Sequence, residues 1–254
     1  MTHSDQQSIL NLALATGELL LTSGAETYRV EETIDRMCQS RGVAGESFVT
    51  PSVILVTGII DGSPITHMKR VHPQQIDLHK IDEANNFARS FTASDMPITT
   101  AWEELNRVAN SLQYPLPISL LGGGLAVGGF AVLFGAPAGQ FPLAFLIGVL
   151  LQLFMVTIMP LRLNFFLRNI VASFVVTILI HLLDRLFALA INAMIIGSIM
   201  PLVPGVAITN SVRDTLTGDF LSGLTRASEA VFIALGIAFG VGVGLVLMTG
   251  VLPV

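Results

Sequence analysis

Residues 141–160 read FPLAFLIGVLLQLFMVTIMP, a stretch with no charged side chain. About 20 apolar residues are what an α-helix needs to cross a hydrocarbon core of about 30 Å. The rest of the back half shares this preference. From Leu116 to Val254 the charged residues are Arg162, Arg168, Asp184, Arg185, Arg213, Asp214, Asp219, Arg226 and Glu229. The first 112 residues hold 14 of the 18 acidic and 8 of the 13 basic side chains. Such a step in charge density means two solvents, water for the front and lipid for the back. The fold class expected is an α-helical membrane protein with five transmembrane helices over residues 113–254. Residues 1–112 are expected to form an N-terminal α+β cytoplasmic domain.

Composition narrows the function. A mean hydropathy of +0.72 with 52% apolar residues suits a chain that is about half membrane. The net charge of −5 arises in the front half, and no basic stripe supports nucleic-acid binding. The single cysteine, Cys38, cannot form an internal disulfide or a thiolate metal site. It continues the helical series Val30, Ile34, Met37, which makes it a core thiol. Residues 1–8 lack lysine and arginine, and Asn11 and Glu18 interrupt the apolar stretch that follows. That is neither a signal peptide nor a span, so the amino terminus is expected in the cytoplasm.

In the front half, Ser8–Leu21 has helical apolar spacing and Gly24 breaks it. Ser23-Gly-Ala-Glu26 matches the S-x-x-E capping box, with Ser23 expected to cap the next helix and Glu26 to reach back. That helix carries Glu31, Glu32, Asp35 and Arg36 on a polar face, and Gly42 closes it. Phe48–Ile60 is rich in Val, Ile and Thr and ends at Asp61-Gly62, a two-residue hairpin signal, with Ser63–Val71 as the returning strand. Gln75–Phe91 and Thr99–Leu112 read as two more helices. No catalytic residue emerges: G-x-S-x-G, H-E-x-x-H and a glycine-rich phosphate loop are all missing from the sequence. His67, His72 and His79 follow no metal-ligand spacing and read as surface histidines. Neither a metal site nor a cofactor is expected.

Spans are drawn near Leu116–Phe134, Phe141–Pro160, Ile170–Ala190, Asn192–Ser211 and Ala227–Leu252. Arg162, Arg168, Arg213 and Arg226 fall in the loops on one side and Arg185 on the other. The positive-inside rule then puts the amino-terminal domain in the cytoplasm and the carboxyl terminus outside. Gly122, Gly123, Gly124, Gly128 and Gly129 in the first span, and Gly236, Gly240 and Gly244 in the last, read as close-packing faces. Span four contains Ile199-Met-Pro201-Leu-Val-Pro204-Gly205. Two prolines and a glycine there are either a kink or a break of the kind transporters use to present backbone groups to a solute. His181, Asp184 and Arg185 share one face of span three, and ionisable residues at that depth raise a functional hypothesis.

After the break the chain continues Pro204-Gly205-x4-Asn210-x3-Asp214-x3-Gly218-x4-Gly223-x2-Arg226. This resembles the signature stretch of the threonine/serine exporter family. Ser23-Gly24-Ala25-Glu26 and the following Arg29-Val30-Glu31 resemble its front half, so the likeness covers nearly the whole chain. Long members have about ten spans, so five make this chain similar to the larger half of a two-component version. The resemblance implies a short membrane protein supplying the remaining spans, an oligomer, and an association with succinate export.

Residue chemistry converges on the same group. A carboxylated solute needs bidentate donors, which Arg213 and Arg226 can offer, with backbone amides of the helix end that follows the Pro204-Gly205 break, and Asn210 near it. Asp214, placed with the substrate-binding residues, and Asp219 are either partners holding the arginines or proton carriers. Asp219, His181 and Asp184 are proton-coupling candidates. Gly24, Glu26, Arg29 and Glu31 form the N-terminal motif, and a plain cytoplasmic loop remains the alternative for Arg213, Asp214 and Asp219. The reading is an exporter component, not an enzyme, for a succinate-like dicarboxylate or threonine/serine in the inner membrane. A membrane-tethered hydrolase or a scaffold with a soluble sensor domain is the alternative.

Overall fold

The computed structural model describes residues 3–72, 76–111, 114–158 and 164–250. Two compact units result, Met1–Gln113 with Thr209–Ala227, and Tyr114–Ile208 with Ser228–Val254.

The first unit opens with helices α1 (His3–Thr22) and α2 (Thr27–Ser40). Strands β1 (Gly45–Thr50), β2 (Val53–Ile60) and β3 (Ser63–Arg70) follow as one antiparallel sheet in the order β1-β2-β3. The Phe48–Ile60 run is therefore two strands, turned at Pro51-Ser52 so that Thr50 faces Val53. The hairpin expected at Asp61-Gly62 is present, and both residues have positive φ, 49° and 76°. That pair of left-handed residues matches the twist of the flanking strands. Alternation along β2 buries Ile54, Val56 and Ile60. Ile54 and Val56 pack in one core with Ile9, Leu12 and Ala13 of α1 and with Val30, Ile34 and Met37 of α2.

Helices α3 (Leu78–Ala93) and α4 (Ile98–Ala109) complete the core with Phe87, Phe91, Leu105 and Val108. Asp77 caps α3 by accepting from the Lys80 amide at 3.0 Å. Gln75, expected at the start of this helix, lies outside the described residues, as does Leu112 at the end of the next. Arg41 ties the two helices' connection down. Its guanidinium donates to the Ser94 and Met96 carbonyls at 2.9 and 3.0 Å and lies 4.4 Å from the centre of the Phe91 ring. Cys38 is 2% exposed, and burial pushes its thiol up to about 12, so it is protonated and unreactive at neutral pH.

The second unit contains α5 (Leu116–Leu133), a 3-10 turn at Ala138–Gln140, α6 (Phe141–Ile158), α7 (Phe165–Phe187) and α8 (Ile191–Ile199). Helices α9 (Gly205–Leu216) and α10 (Phe220–Thr249) each run through both units. Among the described residues, four segments are long and apolar enough to span a membrane: α5, the 3-10 turn with α6, α7 and α10. A fifth span exists if α8 and α9, bent by 55° across the break, count as one. Arg162, on which part of the loop-charge argument rested, and Pro160, the expected end of the second span, lie outside the described residues. At 1.5 Å per residue the 30 residues of α10 reach about 45 Å, longer than a hydrocarbon core.

Glycine explains how these helices pack. A Cβ at Gly148 of α6 would overlap the Gly123 carbonyl of α5, and one at Gly128 would lie 2.8 Å from the Phe141 ring. Gly236 faces Phe166, Gly240 faces Ile170 and Ser173, and Gly244 faces Thr177, all on α7. The absent side chains let the backbones meet. Gly122 and Gly129 differ, since a Cβ there would meet nothing within 4 Å.

Candidate functional site: a buried polar cluster

The turn between α1 and α2 departs from the expected capping box. The Ala25 amide bonds the Leu20 carbonyl and the Gly24 amide bonds that of Leu21. This is a Schellman ending of α1, with Gly24 at φ +93° in the left-handed position. Ser23 is therefore the C-cap of α1 rather than the N-cap of α2. Glu26 precedes α2 but makes no side-chain cap bond. Its carboxylate goes elsewhere: Oε2 lies 2.9 Å from Arg29 Nε and Oε1 pairs with Arg213.

The turn then meets residues 210–226, which belong to the same compact unit. Asn210 Nδ2 donates to the Gly24 carbonyl at 3.2 Å, and Arg226 Nη2 donates to the Ala25 carbonyl at 2.8 Å. Arg226 Nε also lies 3.2 Å from Asp214 Oδ2, a charge contact without hydrogen-bond alignment. The Thr27 hydroxyl lies 3.1 Å from both Asp214 Oδ1 and Asp219 Oδ2. Asp219 Oδ1 accepts from the Ser222 amide at 3.1 Å and so caps α10. Asp214 is fully buried and Arg226 only 12% exposed, whereas the Arg213 side chain is 46% exposed. Close approach of α9 and α10 requires Gly223, where a Cβ would overlap the Thr215 hydroxyl.

Gly24, Glu26, Asn210, Arg213, Asp214, Asp219 and Arg226 thus come together, and Arg29 sits at the margin. The loop alternative fails for Arg213 and Asp214, which lie on α9. Glu31 does something different: it accepts from the Val49 amide at 2.8 Å and pins α2 to β1. Asp35 does likewise through the Ser47 hydroxyl at 2.8 Å. Burial pushes both carboxyls up, and those hydrogen bonds oppose it. The outer face of α2 is in part a contact face.

Pro204, Gly205, His181 and Asp184 belong to the second unit. The break there consists of a 3-10 turn at Met200–Leu202, an extended Val203 and then Pro204. His181 Nδ1 lies 2.9 Å from the Thr177 carbonyl of its own helix. Asp184 Oδ1 accepts from the Leu189 amide at 2.7 Å and closes the turn at the end of α7. Gln140 joins that turn, accepting from the Ala190 amide at 2.9 Å. Asp184 is thus engaged with backbone rather than with His181.

Sequence reasoning missed Thr27 and the Ala25 carbonyl. Thr27 directly follows Glu26, yet its partners are 187 and 192 positions away. Spacing along one chain segment carries no signal of such a pairing.

Residues 11–248 match the family model described as "Putative threonine/serine exporter". The chain is 25% identical over 253 residues to the "Threonine/serine exporter" of Corynebacterium glutamicum, covering 96% of this chain and 52% of that one. It is 21% identical to the "Probable threonine/serine exporter" of Mycobacterium tuberculosis, covering 94% of this chain and 46% of that one. The chain therefore spans about half the length of these two relatives. It is also 24% identical to the "Probable succinate transporter subunit YjjP" of Escherichia coli, over 95% of each chain. No solved structure matches it at a significant level. With apolar helices of a multi-pass membrane protein and a match running from within α1 almost to the end of α10, the chain belongs to the threonine/serine exporter family.

Proposed function

We propose that this chain is one component of a secondary exporter for small carboxylated metabolites, a succinate-like dicarboxylate or threonine/serine. The observation that carries the reading is its coverage. It matches about half of two exporters and nearly the whole of a protein named as a transporter subunit. A short membrane protein then supplies the remaining spans, and the chain does not transport alone. Relatives named as exporters and transporter subunits favour this over a tethered hydrolase.

Carboxylate recognition falls to Arg213 and Arg226, with Asn210 alongside. Arg213 is the more accessible guanidinium, and a solute carboxylate can replace Glu26 on it. Arg226 is already held by Asp214 and Ala25, so it positions the cluster until that pair opens. Proton coupling uses Asp219 and Asp214. One hydroxyl carries one proton, so Thr27 satisfies both carboxylates together only when one of them is protonated. His181 and Asp184 remain second candidates within α7.

Liposomes containing the purified chain alone should show no succinate, threonine or serine transport. Liposomes that also contain a short membrane partner supplying the remaining spans should transport at least one of them. Robust transport by the isolated chain would contradict the two-component reading.

The amino-terminal residues are assigned to the cytoplasm of a cell whose inner membrane holds the spans, from the excess of arginine in the loops on that side. A phosphatase reporter fused after Val254 should be active, since it works only outside the cytoplasm. A green fluorescent reporter at the same point, bright only inside, would overturn the orientation and the odd span count together.

A further inference from the structure

Helices α2 and α3 enclose a cleft of about 210 Å³ lined by Tyr28, Arg29, Glu32, Thr33, Arg36, Asn85, Arg89 and Thr92. We propose that this cleft is a binding site for a small multivalent oxyanion, of carboxylate or phosphate chemistry, separate from the polar cluster at residues 210–226. It does not depend on the transport reading.

The charge balance is the first reason. The domain is acidic, with 14 of the chain's 18 acidic residues in its first 112 positions, yet this cleft holds three arginines against one carboxylate, Glu32. Four of the five other basic side chains in the first 112 residues are committed elsewhere. Arg41 holds carbonyls, Lys69 pairs with Glu18, Lys80 bonds the Ala109 carbonyl, and Arg107 pairs with Glu104 and Glu83.

Unused donors are the second. A guanidinium carries five N–H groups in a fixed fork. Arg29 engages its neighbours through Nε alone, with Glu26 and Tyr28. Arg36 is engaged at Nη2 with Glu32, and Arg89 at Nη2 with the Asn86 side-chain oxygen at 2.5 Å. Arg89 has no carboxylate partner among the described residues. Most of these donors are free, and planar forks are what bidentate oxyanion recognition uses. The Tyr28 hydroxyl and the second Asn85 amide proton add neutral donors along the same walls, while the Thr33 and Thr92 hydroxyls donate to carbonyls of their own helices.

Size is the third. The volume lies below the range of about 300–1,000 Å³ usual for drug-sized ligands, which suits a metabolite of a few carbons or a phosphate group.

The test is calorimetric titration of the full chain, purified in detergent at low salt, with succinate, inorganic phosphate and neutral succinamide. Succinate, phosphate or both should bind, and which one does decides between a carboxylate and a phosphate site. Arg36→Gln combined with Arg89→Gln should weaken that binding about tenfold or more, as expected for loss of two charge-assisted contacts. Arg107→Gln, outside the cleft, should leave it unchanged. No binding of either anion would overturn the proposal. So would equal binding of succinamide, or anion binding that the double variant leaves intact, since that anion then sits elsewhere. The altered arginines are at the surface, and an unchanged melting temperature verifies that the variant is folded.

Discussion

Asp214→Ala should abolish export and sharply lower the thermal midpoint of the purified protein. Asp214 is fully buried beside a guanidinium that is itself only 12% exposed. Deleting the carboxylate leaves Arg226 charged, poorly hydrated and without its counter-ion. Breaking a buried pair from one side costs about 3–5 kcal/mol, a large part of the stability of an ordinary domain. The Thr27 hydroxyl loses an acceptor in the same step. Arg226→Lys probes the other side more gently. A lysine keeps the charge but cannot reach Asp214 and the Ala25 carbonyl through two nitrogens of one rigid fork. Export of succinate, threonine and serine, compared at equal membrane abundance, should fall strongly for both variants. Parent-like melting and export in Asp214→Ala would remove the cluster from any role in stability or transport.

Gly240→Leu should prevent α7 and α10 from packing and leave little folded protein. A Cβ at Gly240 overlaps the Ser173 hydroxyl and the Ile170 carbonyl. The hydroxyl could rotate, but the carbonyl belongs to helix backbone and cannot move unless the helices part. Parting them also loosens Gly236 against Phe166 and Gly244 against Thr177. The cost should exceed the 1–3 kcal/mol or so typical of core overpacking, because helices rather than side chains must shift. Gly242→Ala is the matched control, since a Cβ there meets nothing within 4 Å. Protease resistance and detergent melting of the two variants should separate clearly. A Gly240→Leu protein as resistant as the control would mean that this glycine line is not a contact face.

Much of the architecture was legible in residue patterns because it depends on local chemistry. Apolar runs of membrane length with few charges mark α5, α6, α7 and α10, and Asp61-Gly62 marks the hairpin through its need for left-handed backbone. The period-two burial of β2 and the helical series around Cys38 are likewise properties of one segment. Pro201, Pro204 and Gly205 announce a break by themselves, since proline lacks the donor that helix continuation requires.

Tertiary structure decided everything that depends on a distant partner. Ser23 and Glu26 satisfy the capping-box pattern, yet Gly24 ends α1 in a Schellman turn and the Glu26 carboxylate answers Arg213 and Arg29 instead. Ionic and hydrogen-bond partners across 187 or more positions outweigh one local cap, and no local spacing encodes them. For the same reason Arg213 and Asp214 read as loop residues but lie on a helix folded onto the amino-terminal turn. The sequence alone determined which segments prefer lipid, where backbone must bend, and that two short motifs carry the polar chemistry. Only the tertiary structure decided that those motifs form a single cluster, because burying a charge is favourable only where the fold brings its counter-charge.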